Sequence, residues 1–475
     1  MPYNHSRQVT NILAHFKAQQ KCWPEFRSEP IQNRKTRLRK LRDWIHHNRI
    51  AIHEAMYSDF KKPALEVDGT ELFHVLNEIK HALAHLDDWA RPKAVKTPIT
   101  MLGTTASVHA EPKGICLIIS PWNYPFSLAV GPLVSALAAG NTAILKPSEL
   151  TPNVSALLER MITALYPADE VVVINGDAAV AAELIQLPFD HIFFTGSPRV
   201  GKLVMKAAAE NLTSVTLELG GKSPAIVTAK TDLKEAAKRI AVAKFINNGQ
   251  TCIAPDYILA EQSIISDLTN ALREQVDNLF ADNGPLENSQ SYARIVNEHH
   301  YNRIQKLVDD AVSRGAKVSR NGPSNSAERF MHPVIMTDVP NDALILEEEI
   351  FGPVLPVVAY SNINDTVAYI NKHPKPLALY IFGADQAEEK LLLHNTSAGG
   401  VCINDCAIHF LNHNLPFGGV NNSGIGKSHG FYGFLAFSNE KSVLKQKSGF
   451  TSVQPFYPPY NQATKRLMDW FLKLF

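Results

Sequence analysis

From residue 114 onward, short apolar runs alternate with longer stretches of helical periodicity, and this alternation constrains the fold more than any other feature. The strand-like runs are residues 115–120, 142–145, 171–174 and 191–194, and the helix-like stretches between them are residues 126–139, 151–165 and 177–186. Strands that alternate with helices in this way are typical of βαβ units. We therefore predict a parallel sheet that is covered by helices on both faces.

A second series of the same kind follows the first. Its strand-like runs are residues 224–227, 257–260, 354–360, 378–382 and 400–403. At roughly 150 residues per domain, a chain of 475 residues has room for two or three domains. The pattern therefore predicts an α/β fold with two doubly wound α/β domains.

The segments outside these series have other patterns, helical before residue 90 and rich in proline and threonine just after it. The expected divisions are residues 1–90 with 114–218, residues 219–426, residues 91–113 with 427–449 as an extended arm, and residues 450–475 as a tail. The tail carries the apolar residues Leu467, Trp470 and Phe471 but is too short to span a bilayer. Packing against the body is favoured for it, with an interfacial membrane contact as the alternative.

Charge and cysteine usage exclude several classes of protein. Lys plus Arg number 47 and Asp plus Glu 46, whereas a dedicated nucleic-acid binder carries a basic excess, so we expect no nucleic-acid partner. Residues 114–145 are uncharged, but Pro121, Pro125 and Pro132 would break a membrane-spanning helix. Five cysteines fit a reducing compartment, and the N-terminus has no apolar core of a secretory signal. We therefore expect a soluble, cytoplasmic protein.

A glycine-containing turn follows the strand-like run 191–194 and opens a helix. Its residues include Gly196, Ser197, Val200 and Gly201. Free N–H groups at a helix start suit a phosphate, and glycine permits close backbone approach. A Rossmann GxGxxG is absent, and the P-loop hydroxyl is missing because Leu203 follows Lys202. A nucleotide phosphate is therefore plausible here, whereas a nucleoside triphosphatase is disfavoured.

Two further residues are candidates for chemistry. Cys252 differs from the other four cysteines because polar loop residues precede it, which favours an accessible thiol. Glu218 lies between two leucines at the end of a strand, where partial desolvation would raise its pKa and suit a general base. A salt bridge from Glu218 to Lys222 is the alternative.

The histidine pairs His81/His85 and His409/His413 lack the glutamate of an HExxH motif, so we expect them to be structural and expect no metal site.

Seven segments taken together resemble the aldehyde dehydrogenase superfamily. In chain order they are PWNYP (121–125), KPSE (146–149), FTGS (194–197) with Val200-Gly201, LELGGK (217–222), GQTC (249–252), EEIFGP (348–353) and PFGG (416–419). The segments WNYP, IAPDY (253–257) and LPFGGVNNSGIG (415–426) resemble the class 3 branch, which handles fatty and aromatic aldehydes and is typically dimeric.

The resemblance implies catalytic roles for three residues. Cys252 would be the nucleophile, its thiolate adding to the aldehyde carbon. The side-chain amide of Asn123 and the backbone N–H of Cys252 would stabilise the oxyanion. Glu218 would activate the water that hydrolyses the resulting thioester.

The resemblance also implies the cofactor, NAD or NADP, and the residues around it. The cofactor-binding residues would be Trp122, Lys146, Glu149, Gly196, Ser197, Val200, Gly201, Glu349 and Phe351. A carboxylate at Glu149 favours NAD by repelling a 2′-phosphate, although class 3 members often accept both cofactors. The substrate pocket would include Tyr124, His413 and Phe417, with His409 and the tail nearby.

These roles imply a modified Rossmann cofactor domain (1–90 with 114–218), a catalytic domain (219–426) and a small β oligomerisation arm. The expected function is NAD(P)-dependent oxidation of medium- to long-chain aliphatic or aromatic aldehydes to carboxylic acids in a homodimer. The alternatives are a CoA-acylating dehydrogenase, which Glu218 argues against, and a non-catalytic structural use of the fold.

Overall fold

The computed structural model describes residues 5–281 and 284–473. Some expected domain divisions also include residues 1–4, 282, 283, 474 and 475, which lie outside the described residues. The first of its sheets has five parallel strands and an antiparallel edge strand. Across the sheet they are Gly424–Ile425, Ser214–Leu219, His191–Gly196, Ile115–Ile119, Thr142–Lys146 and Val171–Val173. The chain builds outward from Ile115–Ile119 to one side and then to the other. This sheet is therefore doubly wound, with its switch point between Ile115–Ile119 and His191–Gly196.

Helices cover both faces of the first sheet. They are His5–Arg27, Ile31–His47, Arg49–Phe60, Ala64–Val67, Phe73–Trp89, Ser127–Ala139, Pro152–Leu165, Ala178–Leu184, Pro198–Glu210 and Gly430–Ala436. Successive strand residues point to opposite faces, so Cys116 and Ile118 pack into one core cluster and Leu117 and Ile119 into another. Burial on both faces explains why this strand is apolar throughout.

The second sheet is parallel except for one antiparallel pair at its edge. Its strands, in spatial order, are Lys317–Arg320, Val334–Thr337, Val354–Tyr360, Tyr257–Glu261, Pro224–Val227, Ala378–Phe382 and Gly400–Ile403. Its helices are Leu233–Phe245, Ile265–Phe280, Glu298–Ser313, Leu344–Glu347, Ile363–Lys372 and Gln386–Asn395. The predicted α/β fold is confirmed. The edge strand Lys317–Arg320 was not predicted, because half of its residues are exposed and it has no apolar run.

An antiparallel arm stands apart from both sheets. Strand Thr104–Pro112 pairs with Lys93–Val95 on one side and along its whole length with Ser438–Gln446 on the other. Helix Gly430–Ala436, which falls in the range expected for the arm, instead packs on the helices of the first sheet and buries Phe434.

The tail contains the amphipathic helix Gln462–Leu472, none of whose residues is buried. Its Trp470 is 56% exposed, so the favoured expectation that the tail packs against the body is wrong for this chain. Among the described residues, no helix combines the length and apolar composition that crossing a bilayer requires.

Candidate active site

Two cavities meet at Cys252, in the loop that follows helix Leu233–Phe245. The first, here called the apolar cavity, has a volume of about 480 Å³, and its walls include Tyr124, Val242, Ile408 and Leu411. The second has a volume of about 300 Å³ and is here called the switch-point cavity, because it lies at the carboxyl ends of the central strands of the first sheet. Cys252 borders both cavities, so ligands in the two cavities can reach the same residue.

The loop before Cys252 has a backbone conformation that few residues accept. Asn247, Asn248 and Gly249 all have positive φ angles, of 52°, 55° and 74°. Asparagine tolerates the left-handed region better than most residues. A Cβ atom on Gly249 would lie 2.3 Å from the carbonyl oxygen of Gly352, so that position also requires the absence of a side chain. The sequence Asn-Asn-Gly therefore builds this turn.

Buried amides hold the loop in place. Gln250 Nε2 donates to the carbonyls of Asn247 (2.9 Å) and Arg294 (3.0 Å), and Gln250 Oε1 accepts from the N–H of Val296 (2.9 Å). Asn247 Nδ2 donates to the carbonyl of Asn123 at 2.7 Å. The Asn123 side-chain amide donates to the carbonyl of Gln250 at 3.0 Å and borders the switch-point cavity with Cys252. The predicted oxyanion donor therefore lies beside the nucleophile.

A buried charge pair that the sequence did not reveal supports Tyr124. Lys62 and Glu71 form a fully buried ion pair at 2.9 Å, and Glu71 also accepts from the N–H of Ser127 at 2.8 Å. The Lys62 ammonium lies 3.9 Å from the centre of the Tyr124 ring, whose hydroxyl is 2.7 Å from Thr251 Oγ1. Tyr124 therefore forms a fixed part of the apolar cavity wall. No motif surrounds Lys62 or Glu71.

Glu218 has the environment of a general base. Its carboxylate is buried in strand Ser214–Leu219 and accepts a hydrogen bond from Ser428 Oγ. Burial raises the pKa of Glu218 to about 7, although Ser428 and Lys427 oppose the rise. The alternative pairing with Lys222 is wrong, because the Lys222 ammonium is bonded to Asp256.

The Cys252 thiol differs from the sequence expectation in its ionisation. Burial, followed by the nearby carboxylates of Glu218 and Glu349, raises the pKa of Cys252 well above its ordinary value. The resting side chain is therefore a thiol rather than the expected thiolate. A thiol must lose its proton before it can act as a nucleophile.

Glu349 and Phe351 lie on the opposite wall of the switch-point cavity. The Glu349 carboxylate occupies the space beside Gly220, where a Cβ atom would lie only 2.2 Å from Oε2. Burial and the neighbouring Asp256 raise the pKa of Glu349 to about 8. The ring of Phe351 meets Trp122 edge to face at 5.2 Å.

The predicted phosphate turn forms the outer end of this cavity. Ser197 caps helix Pro198–Glu210, and its hydroxyl accepts from the N–H of Val200 at 3.4 Å. Gly196 and Ser197 line the cavity, whereas Gly201 lets the helix pack closely, since a Cβ there would lie 2.8 Å from Leu219. A helix N-terminus at the switch point of a doubly wound sheet suits a dinucleotide pyrophosphate.

Lys146 and Glu149 lie further along the same edge of the sheet. Their side chains form an ion pair at 2.7 Å, with Lys146 buried and Glu149 half exposed. Glu149 borders a third cavity of about 380 Å³, together with Ser148 and Gly176. Glu149 thus borders one cavity at this edge, and Ser197 and Glu349 border another.

Two residues of the switch-point cavity were missed by sequence reasoning. His300 lies 4.8 Å from Trp122, ring to ring, and Arg303 Nη1 donates to the carbonyl of Glu349 at 3.1 Å. Both belong to helix Glu298–Ser313, where a spacing of three residues places them on one face. In the sequence, only that three-residue spacing could have indicated that the two residues act at one site.

The structure places the three predicted pocket residues differently. Tyr124 lines the apolar cavity, whereas Phe417 lines the switch-point cavity instead. The expectation for His413 is wrong. Its Nδ1 lies 3.0 Å from Glu78 Oε1, and it lines neither cavity in the described part of the chain. The carboxylate of Glu78, which the sequence did not point to, holds the imidazole on helix Phe73–Trp89.

Comparison with known proteins agrees with this geometry. Residues 1–443 match the profile of the Aldehyde dehydrogenase family. The 4,4'-diaponeurosporen-aldehyde dehydrogenase of Staphylococcus aureus is 42% identical over 444 residues, which are 94% of this chain and 95% of that protein. Aldehyde dehydrogenase family 3 member A2 of Mus musculus is 40% identical over 447 residues, covering 94% and 91% respectively. A structure of the substrate-bound state of Staphylococcus aureus AldH is 41% identical, with a TM-score of 0.92, and covers 97% of this chain and 99% of that one.

Proposed function

This chain belongs to the aldehyde dehydrogenase family and is an NAD(P)-dependent enzyme, and from this premise we propose that it oxidises medium- to long-chain aliphatic or aromatic aldehydes through a thioester on Cys252. The observation that carries the proposal is the position of Cys252, which borders both the apolar and the switch-point cavity. An aldehyde in the first and a dinucleotide in the second would meet at this residue.

The first half of the reaction follows from the residues around Cys252. The Cys252 thiol loses its proton to solvent water, and the thiolate adds to the aldehyde carbon. The Asn123 amide and the Cys252 N–H donate hydrogen bonds to the oxyanion that forms. When bound, the nicotinamide supplies the hydride acceptor that the oxidation requires, and the acyl group remains on sulfur as a thioester.

Glu218 acts in the second half, as the unprotonated carboxylate. It removes a proton from water, whose oxygen attacks the thioester and displaces the Cys252 thiolate. A pKa of about 7 lets Glu218 bind and release a proton at neutral pH. An acceptor such as CoA is unnecessary, because the base for hydrolysis is already beside the sulfur.

The walls of the apolar cavity support the proposed substrate class. Leu128, Val242, Ile246, Ile408 and Leu411 present hydrocarbon along it, and Lys238 and Arg239 are its cationic members. Burial of a CH₂ group contributes about 0.8 kcal/mol, so such a cavity selects for longer apolar chains.

For the cofactor, we propose that Trp122, Gly196 and Ser197 contact the pyrophosphate, with Val200 and Gly201 shaping that turn. Glu349 and Phe351 would hold the nicotinamide ribose, and Lys146 and Glu149 the adenine ribose. The proposed cofactor domain is residues 1–90 with 114–218, the catalytic domain residues 219–426, and the arm residues 91–113 with 427–449. Strand Ser438–Gln446 of the arm is mostly exposed, which supports a homodimer that sedimentation of the full chain would test.

A product assay tests the proposed function. NADH and NADPH formation should depend on aldehyde, with kcat/KM rising along a series from propanal to dodecanal, and chromatography should identify the free acid. An acyl-CoA product in the presence of CoA would contradict hydrolysis, and absence of turnover across the series would contradict the enzyme assignment.

A further inference from the structure

Every turnover proposed above leaves a proton on Glu218, which is buried. The acyl chain would then fill the apolar cavity, and the cofactor would fill the switch-point cavity that Glu218 borders. Neither cavity is open as a route for this proton. Given the proposed function, the proton must therefore leave in another direction.

A small cavity, here called the rear cavity, lies beside Glu218, and the described residues that line it do not include Cys252. Its volume is about 20 Å³, enough for one water molecule. Glu218 and Ser428 form one part of its wall, and His74, Glu78 and His429 form another. Since Ser428 Oγ is bonded to the Glu218 carboxylate, a hydroxyl connects the base directly to this rear cavity.

The far wall of the rear cavity is built from proton-binding groups. One nitrogen or oxygen from each of His74, Glu78 and His429 lies within 4.8 Å of the other two. Within the described residues, the Nδ1 atoms of both histidines are buried without a hydrogen-bond partner, an arrangement that a bridging water would satisfy. His429 also has a φ of 72°, a strained conformation for a residue with a side chain.

The cluster continues to the protein surface. His413 Nδ1 lies 3.0 Å from Glu78 Oε1, and its ring stacks on His81 at 5.4 Å. The ring of His81 is 4.3 Å from that of His85, which is exposed. A row of imidazoles therefore extends from the rear cavity to solvent. His81 and His85, which were noted as a pair in the sequence, form the outer end of this row.

We propose that protons leave Glu218 through Ser428 and the water of the rear cavity to the cluster of His74, Glu78 and His429, and from there through His413 to solvent. As the thioester is hydrolysed, the carbon–oxygen bond forms, the carbon–sulfur bond breaks and one water proton passes to Glu218. Glu218 then donates to Ser428 Oγ as Ser428 gives its own proton to the rear-cavity water. One proton thus reaches solvent and Glu218 is a carboxylate again. These are positioning residues, since they act through Glu218.

The charges around the path are consistent with this direction. The charged and titratable groups that face Glu218 are Lys427, Glu78 and Cys252, and those that face the cluster are His413, His81 and His409. Despite burial, the hydrogen bond from His413 and the adjacent histidines lower the pKa of Glu78 to about 2. Burial lowers the pKa of His74 to about 3 and lowers that of His429 as well, so both imidazoles hold the proton only in passage, and the Glu78 carboxylate beyond them attracts it.

Single-turnover rapid-quench experiments on the full chain with NAD and decanal test the path. Ser428→Ala removes the hydroxyl, and His429→Asn removes an imidazole but keeps a residue that accepts a positive φ. We expect thioester formation within about 2-fold of the parent enzyme and acid release roughly 10-fold slower, less than the 10²–10⁴-fold expected on losing the base itself. Ser428→Thr should retain the parent rate, and added imidazole should restore the His429→Asn variant.

The matched control is Ser438→Ala, a buried serine whose hydroxyl bonds to the carbonyl of Phe434 instead. It should release acid at the parent rate. Unchanged acid release in both path variants would overturn the proposal, as would slow release that neither imidazole nor Ser428→Thr corrects. A stoichiometric metal that the His429→Asn variant loses would also overturn it, since a cation would occupy the place of the water. Failure to form any thioester would instead contradict the proposed function.

Discussion

The two cavities that meet at Cys252 are built in different ways. The switch-point cavity is lined by strand ends and the turns that follow them, such as Asn123, Ser197 and Glu218. The apolar cavity is lined by the sides of elements far apart in sequence, such as Leu128, Val242 and Leu411. The switch-point cavity holds polar atoms at fixed positions, whereas the apolar cavity provides space for an apolar ligand. Reaction type and substrate choice therefore reside in separate parts of the molecule.

The largest expected effect comes from the residue that the two cavities share. Cys252→Ala should lower aldehyde-dependent NADH formation by more than about 10⁴-fold, because no other group on the proposed path can carry the acyl chain. Cofactor binding, measured by quenching of tryptophan fluorescence, should be retained. Cys22→Ala, a substitution of a free cysteine elsewhere, should behave as the parent. Substantial turnover by the Cys252 variant would contradict the account.

A change confined to the switch-point side should separate the two halves of the reaction. Glu218→Gln keeps the shape of the side chain and should slow acid release by roughly 10²–10³-fold, because the amide cannot accept a proton. The thioester should accumulate and be visible by intact-protein mass spectrometry. We expect the rate of acid release to fall by the same factor with propanal and with decanal. A loss that depends strongly on chain length would contradict the separation of roles between the two cavities.

The pH dependence addresses the same residue without mutation. Since the pKa of Glu218 is about 7, the base form increases about 10-fold in population between pH 6 and pH 8. The rate of acid release should rise over that interval, measured at saturating substrate. A rate that falls or stays level across this range would show that another group limits hydrolysis.

Substitution on the apolar side should affect chain length alone. Val242 lines the apolar cavity, and Val242→Trp should lower kcat/KM for dodecanal by roughly 10-fold while leaving propanal almost unchanged, because the ring would take space that only a long chain needs. The control is Val312→Trp, a similarly exposed valine on helix Glu298–Ser313. Equal losses with both aldehydes would contradict the division between cavities.

The smallest effect is expected at the outer end of the cofactor site. Glu149→Gln removes a carboxylate that would repel a 2′-phosphate, so KM for NADP should fall about 5-fold, equivalent to roughly 1 kcal/mol. KM for NAD should change less. Glu210→Gln, an exposed carboxylate at the far end of helix Pro198–Glu210, should leave both values unchanged. A rise in KM for NADP would contradict the proposed position of Glu149 beside the adenine ribose.

The same comparison explains what the sequence could predict. Most strands of the two sheets were visible because burial on two faces leaves uninterrupted apolar runs, whereas Lys317–Arg320, Val334–Thr337 and Gly424–Ile425 were not predicted. Cys252 and Glu218 were visible because each chemical role depends on a local setting, a polar loop or a flanking pair of leucines. The residues that line the switch-point cavity therefore belong largely to short segments that can be recognised in the sequence.

What the sequence missed depends on side chains that meet only in the folded chain. Lys62 and Glu71 pair beneath Tyr124, and Glu78 draws His413 out of the pocket predicted for it. The raised pKa of Cys252 likewise arises from burial and from carboxylates contributed by two other segments. None of these contacts has a local pattern, so neither the apolar wall nor the ionisation of the nucleophile could be inferred beforehand.

Trapping the acyl enzyme tests the central claim most directly. Glu218→Gln protein would be mixed with decanal and NAD, quenched in acid, digested and mapped by mass spectrometry. We predict one decanoyl group per chain, located on Cys252, with one NADH formed for each. A decanoyl group on any other residue, or NADH released without an acylated Cys252, would show that this sulfur is not where the two ligands meet.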